Sequence, residues 1–276
     1  MAEAERIVAT ILGCGSSGGV PRIGNVWGAC DPSDPRNRRR RCALLLTGTT
    51  TGSAEPTQVL IDTGPDMREQ LLDTGVQRLE AVFYTHEHAD HTHGIDDLRV
   101  LALNNRKRVD VYFSAEAGER IVSAFAYCFT GAGGYPPILN QHIITAGETL
   151  VIDGPGGSIT IEAFRQDHGE IFSLGYRIGG FAYSCDLSGI PEESVAAVSG
   201  LDVWVLDALR PTPHPSHLSL GESLELIVQL QPELAVLTNL HTDMDYASVD
   251  AATPENVTPA YDGLRIDVTA GQILEG

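Results

Sequence analysis

One loop of seven residues constrains this chain more than any other feature. The apolar run Ala81–Tyr84 reads as a buried strand, and directly behind it stands Thr85-His86-Glu87-His88-Ala89-Asp90-His91. A helical pattern then opens at Gly94. Four side chains able to ligate a cation, His86, His88, Asp90 and His91, therefore leave the end of a strand together. A rigid scaffold commonly presents its chemistry on such loops. Imidazole suits zinc, iron and other borderline ions, and carboxylate suits harder ones.

The rest of a coordination shell has to come from later strand ends. His168 follows the strand-like Ile159–Phe164, Asp186 follows Phe181–Ser184, and His241 follows Leu234–Leu237. Strands of one sheet can deliver their ends to a single edge, so these residues can converge despite their separation in sequence. Further strands are expected at Ile7–Leu12, Ala43–Thr47, Gln58–Ile61, Val109–Phe113, Ser173–Ile178 and Val203–Leu206. Helices are expected at Asp66–Asp73, Gly94–Asn104, Ala115–Phe129, Glu192–Val198 and Leu220–Gln229. Residues 51–57 and 131–141 read as surface loops. Early strands in hairpins and later strands alternating with helices point to two packed sheets covered by helices. Residues 1–276 are expected to form one large α/β domain.

Charge narrows the partners. Eighteen basic residues against 37 acidic ones leave a formal charge of −19, which repels long nucleic acids. A small anion remains admissible, because bound divalent ions reverse the local sign. No run of 18 apolar residues is present, so no membrane span is expected. The acidic start Met1–Arg6 lacks the charged n-region of a secretory leader. Cys14, Cys30, Cys42, Cys128 and Cys185 are odd in number and form no CxxC pair, which fits a reducing cytoplasm.

Other motifs suggest substrate contacts. Gly13-Cys14-Gly15-Ser16-Ser17-Gly18-Gly19 follows the first strand, and a glycine-rich turn lets backbone N–H groups approach an anion. Ser16 and Ser17 are the candidate contacts. No Gly-Lys-Ser/Thr follows, so this is not a Walker A loop. The run Arg36–Arg41 is the one dense basic patch, and Arg39 is the candidate phosphate contact, with ion pairing to acidic surface as the alternative. His217, in His214-Pro215-Ser216-His217, stands just before Ser219, a helix N-cap candidate. A histidine beside metals can protonate a leaving alkoxide; His214 is a weaker candidate. Asp62 and Asp207 end strands and could orient metal-bound rings. His93 and His142 read as structural.

The ordered set H-x-H-x-D-H, His, Asp, His resembles the metallo-β-lactamase superfamily. That resemblance implies a four-layer αββα sandwich. It implies one metal on His86, His88 and His168, a second on Asp90, His91 and His241, and Asp186 bridging them. Two divalent ions, Zn²⁺ or Mn²⁺, roughly 3.5–4 Å apart would share a hydroxide that attacks phosphorus or carbonyl carbon. Asp90 would double as a catalytic carboxylate.

Gly13-Cys14-Gly15-Ser16-Ser17-Gly18-Gly19-Val20-Pro21-Arg22, Trp27-Gly28, Gly94-Ile95-Asp96-Asp97 and His241-Thr242-Asp243 resemble one branch. It is that of the cyclic-phosphate phosphodiesterase of bacterial phosphonate degradation. The resemblance implies hydrolysis of a small cyclic or nucleotide-like phosphodiester, with His217 as general acid. It departs at Ala29-Cys30-Asp31-Pro32, where a single cysteine gives no basis for a third, structural metal. The alternatives are thioester or lactone hydrolysis on the same site, a tRNA 3′-processing ribonuclease, and a non-hydrolytic cofactor-biosynthesis accessory protein. A two-fold homodimer is the default expectation for assembly.

Overall fold

Fifteen strands form two sheets in the computed structural model, which describes residues 1–274. The first sheet holds β1 (Arg6–Gly13), β2 (Ala43–Thr49), β3 (Thr57–Ile61), β4 (Ala81–Phe83), β5 (Val109–Phe113), β6 (Leu139–Ile143), β14 (Arg265–Asp267) and β15 (Gln272–Leu274). Its order is β15-β14-β1-β2-β3-β4-β5-β6. The second holds β7 (Thr149–Ile152), β8 (Ile159–His168), β9 (Ile171–Ile178), β10 (Phe181–Ser184), β11 (Val203–Asp207), β12 (Leu234–Thr238) and β13 (Val257–Pro259). Its order is β13-β12-β11-β10-β9-β8-β7.

Alternation along the strands sorts the apolar residues into three cores. Ile7, Ala9 and Ile11 of β1 and Leu44 and Leu46 of β2 face Ile159, Ile161, Tyr176 and Val205 of the opposite sheet. Their neighbours Leu45, Leu60, Val82 and Val111 point outward. There they meet α1 (Met67–Thr74), α3 (Leu98–Asn105), α4 (Ala115–Ala124) and α5 (Ala126–Thr130). Trp204, Leu206, Ala235 and Leu237 point outward from the second sheet onto α6 (Leu220–Leu230) and α7 (Tyr246–Ala252). Helix, sheet, sheet and helix make the expected αββα sandwich.

Strand direction places the site. In the first sheet β1 and β3 both pair antiparallel with β2, and β4 runs parallel to β3. In the second, β8 and β10 both pair antiparallel with β9, and β11 and β12 run parallel to β10. The carboxyl ends of β1, β3 and β4 therefore lie along one edge of the first sheet, and those of β8, β10, β11 and β12 along one edge of the second, the position ligands favour in such sheets.

Several expectations need correction. The helix expected over Ala115–Phe129 breaks at Phe125, whose φ of −122° is not helical, so α5 starts anew and buries Cys128. Glu192–Val198 is a 3₁₀ segment. The loop expected over residues 131–141 ends in β6, whose polar middle conceals it. Asn140 Nδ2 and His142 Nε2 both reach Asp110 Oδ1 on β5, at 3.2 and 2.9 Å.

Candidate metal centre

The turn after β3 supports the histidine loop from below. A Cβ on Gly64 would meet the Asp90 carbonyl oxygen at 2.2 Å, and one on Gly94 would meet the Gly64 carbonyl at the same distance. Only glycine allows the two loops to lie so close. From this base α2 (Ala89–Thr92) starts, and His86, His88, Asp90 and His91 turn towards the second sheet.

Three other strand exits share an uncommon backbone. Asp62, Asp186 and Asn239 follow β3, β10 and β12 with φ of 66°, 55° and 60°. Asp and Asn tolerate this left-handed region better than other side chains except glycine. The sharp turn aims each polar side chain inward.

Four ligand atoms converge. His86 Nε2 lies 2.9 Å from His88 Nδ1, and His168 Nε2 lies 3.3 Å from the same atom. Asp186 Oδ2 stands 3.7 Å from His86 Nε2 and 3.8 Å from His168 Nε2. Donors about 2.0–2.1 Å from a tetrahedral Zn²⁺ lie roughly 3.4 Å apart, so these separations bracket what one ion requires. The far ring nitrogens are held from outside: His168 Nδ1 by the Ser216 carbonyl at 2.7 Å, His86 Nδ1 by Thr85 Oγ1 at 2.9 Å, and His91 Nδ1 by Asp62 Oδ2 at 2.7 Å. Such bonds fix the ring and leave the inner nitrogen free to ligate.

The second group is looser. Asp90 Oδ2 and Asp186 Oδ1 each lie 3.4 Å from His91 Nε2. The two oxygens of Asp186 thus face the two groups separately. His241 lines the same cavity, but its Nε2 contacts Arg22 Nη2.

The electrostatics agree with a cation site. Burial holds His86 well below its ordinary pKa, and burial likewise lowers His168, so both rings present a lone pair. Burial opposes ionisation of Asp186, yet His91 and its neighbours hold that carboxyl well below the usual range. Cys185 Sγ donates to Asp186 Oδ1 at 3.0 Å; burial pushes this thiol well up, which keeps it a donor. All five cysteines are free. The histidine and carboxylate set therefore fits divalent cations by geometry, by charge and by the bonds that orient it.

His217 belongs to the same cavity. Its Nδ1 donates to Asp207 Oδ2 at 2.8 Å, and its Nε2 lies 3.9 Å from Asp186 Oδ2. Burial opposes its charge, but the Asp207 bond outweighs this and raises its pKa to about 9. Asp62 orients a ring of the histidine loop as expected; Asp207 serves His217 instead. Ser219 caps α6 in a capping box with Glu222.

Ser16, Ser17, His88, Asp90, Asp186, Asn239 and His214 line a cavity of about 250 Å³ with His217 and His241. Arg39 does not. The residue is 2% exposed, and its Nη1 and Nη2 donate to the Met244 carbonyl at 2.7 Å and Asn37 Oδ1 at 3.1 Å. It therefore braces the loop after His241, and the expected substrate contact at Arg39 has no support here. Its neighbours pair with carboxylates: Arg36 with Asp34, Arg40 with Asp73 and Asp262, and Arg41 with Asp66. His93 is exposed beside Phe125, away from the cluster.

Asn239, Arg22, Leu209 and Arg210 also line the cavity and are not among the site residues expected from the sequence. Asn239 Nδ2 donates to Asp186 Oδ1 at 3.0 Å. Its signal was available: like Asp62 and Asp186, it is a short polar residue directly behind an apolar strand.

A family model described as a β-lactamase superfamily domain matches residues 57–239. The chain is similar to a crystal structure described as a new diphosphatase from the PhnP family. That similarity has a TM-score of 0.83 at 33% identity and covers 95% of this chain and 97% of that one. It is 30% identical over 260 residues to an octanoyltransferase of Porphyromonas gingivalis, covering 92% of this chain and 50% of that protein. It is 28% identical over 125 residues to a ribonuclease Z of Salinibacter ruber, covering 44% of this chain and 38% of that protein. The chain thus spans half the length or less of these curated relatives. No helix among the described residues is long and apolar enough to cross a membrane.

Proposed function

The chain belongs to the metallo-β-lactamase superfamily of metal-dependent hydrolases, and from that premise we propose that it is a phosphodiesterase of small cyclic or nucleotide-like diesters. It would hold two divalent ions, Zn²⁺ or Mn²⁺: one on His86, His88 and His168, the other on Asp90, His91 and His241, with Asp186 between them. Such ions supply Lewis-acid charge at a phosphoryl group and make water more acidic.

The observation that carries the reading is the His217–Asp207 pair facing the ligand cluster. When water attacks phosphorus and the ester P–O bond breaks, the electron pair stays on an alkoxide, which is a poor leaving group without a proton. His217 Nε2 supplies that proton, and Asp207 holds the ring by its other nitrogen. A thiolate leaves without such help, so the pair favours a diester over a thioester. Asp90 accepts a proton from the attacking water and orients it. The small cavity and the charge of −19 favour a compact substrate over long nucleic acid. The similarity to a diphosphatase supports phosphorus chemistry of this general kind.

The test is turnover of bis(p-nitrophenyl) phosphate with added Mn²⁺ or Zn²⁺, beside a thioester and a lactone. Hydrolysis of the diester is expected. Turnover of only the thioester or the lactone would replace this reading with carbonyl chemistry.

A further inference from the structure

Among the candidate ligands, His241 stands apart. Its inner ring nitrogen faces a guanidinium, with Nε2 accepting from Arg22 Nη2. On the other side of the ring, Nδ1 lies 3.1 Å from Asp243 Oδ2, much as His91 Nδ1 lies 2.7 Å from Asp62 Oδ2. A proton on Nδ1 leaves the lone pair on Nε2, and that lone pair serves one cation at a time. The first group has no such competitor. The ligand atoms of His86, His88, His168 and Asp186 gather in one place, and His241 joins no such cluster among the described residues.

The course of Arg22 brings it to this nitrogen. Its stem lies over Gly18, where a Cβ would meet Arg22 Nε at 3.1 Å and Cγ at 3.2 Å. Its backbone opens a short hairpin, closed by two bonds to Val26 at 2.9 and 3.2 Å. The guanidinium pairs with no carboxylate among the described residues, whereas Arg6 is drawn to Asp267 and Arg41 to Asp66. It lines the cavity with Asp90 and Asp186, so it supplies positive charge beside these carboxylates. No apolar packing fixes it there. Arg22 is exposed, as are Ile23, Gly24 and Asn25 after it, so the side chain can swing into water without uncovering the core.

We infer that Arg22 is a displaceable plug on His241, so that the two metal ions load in sequence. The first takes His86, His88, His168 and Asp186, and the second enters only by displacing the guanidinium. The inference rests on the two-ion reading and concerns the regulation of that site. An incoming ion has to break a hydrogen bond from a charged donor, and its charge then repels the freed guanidinium. The protein thereby passes from a one-ion to a two-ion form as free metal rises.

The test titrates EDTA-dialysed protein with Mn²⁺ and counts bound ions from the electron paramagnetic resonance signal of free Mn²⁺. Wild type should bind its first ion about tenfold or more tighter than its second. Arg22→Met keeps an unbranched stem and removes the charge and the donors. It should tighten the second ion about tenfold or more, the worth of a hydrogen bond from a charged group, and leave the first unchanged. Arg210→Met separates the plug from a general field. Arg210 lines the same cavity, but its Nε and Nη2 donate to the carbonyls of Thr212 and Pro213, so its removal should help the second ion much less. Equal gains in the two variants would reduce Arg22 to one more repelling charge and overturn the inference. His241→Ala closes a double-mutant cycle: in that background Arg22→Met should gain no more than Arg210→Met does, and an undiminished gain overturns the plug. Two ions of equal affinity in wild type, unchanged by Arg22→Met, also overturn it and leave the two-ion reading standing. A single ion in wild type and in every variant ends the two-ion reading, and the plug with it. One ion in wild type and two in Arg22→Met supports both.

Discussion

Nδ1 of His91 lies 2.7 Å from Oδ2 of Asp62, and both side chains are buried. Asp62 also accepts the backbone N–H of Thr85 at 2.8 Å and its hydroxyl at 2.8 Å. One carboxylate therefore ties the start of the histidine loop to its last ligand. Asp62→Asn keeps the shape but cannot accept on both oxygens. Metal affinity should fall about 10–100-fold, the usual cost of losing such an orienting partner. Competition against a chelator measures it, and unchanged affinity would mean that His91 is placed by packing alone.

The leaving group reports on His217. Replacing it with Ala should slow diesters with alkyl leaving groups by about 10²–10⁴, the range for a lost general acid. A p-nitrophenolate needs no such proton and should be slowed much less. Equal slowing of both would remove the general-acid role. Asp207→Asn removes the acceptor that raises the His217 pKa to about 9, so the ring should titrate nearer its ordinary value in EDTA-dialysed protein. Imidazole proton shifts followed by NMR measure this directly.

Arg39 makes a stability prediction where the sequence suggested an affinity one. Its removal leaves the Met244 carbonyl and Asn37 Oδ1 without this donor inside the protein. Asn37 Oδ1 keeps the Tyr246 N–H at 2.8 Å, so one carbonyl is stranded and Arg39→Ala should cost about 1–3 kcal/mol in urea unfolding. A normal urea midpoint with a raised KM would instead restore the substrate contact.

Asp245 governs a small acid-sensitive increment. Burial alone would raise its pKa, but the N–H of Asp31, Ser248 and the Asn37 amide together lower it to about 2. A carboxyl depressed in the folded state contributes stability above its unfolded value, near 3.9, and loses it as pH falls towards 2. Asp245→Asn should thus be less stable than wild type at pH 6, and the gap should close between about pH 4 and 2. The comparison belongs in EDTA-dialysed protein, with unfolding followed by circular dichroism. A gap that is the same at both ends would show that this carboxylate gains nothing from its donors.

The long strands were legible because their signal is local. Phe181–Ser184 and Val109–Phe113 are apolar at positions that any sheet would bury, and both were located to the residue. β6, β7 and the three-residue strands β13, β14 and β15 were not expected. In β6, Asn140, Gln141 and His142 hide the alternation, and three residues are too few to display a period of two. The candidate ligands were legible for a related reason. Asp186 and His241 lie just beyond apolar strands, and parallel pairing carries those ends to one edge.

Arginines were different. By itself the sequence determined the two-sheet scaffold and the donors that can hold cations, since strand periodicity and strand-end position are properties of neighbouring residues. It could not say that Arg39 turns inward while Arg22 and Arg210 reach the cavity. A guanidinium sits at the end of a long flexible stem, and its direction is set by whichever carbonyls and carboxylates the packed loops place around it. Those neighbours, such as Met244 for Arg39, lie 205 residues away in the chain, and only the tertiary structure brings them near.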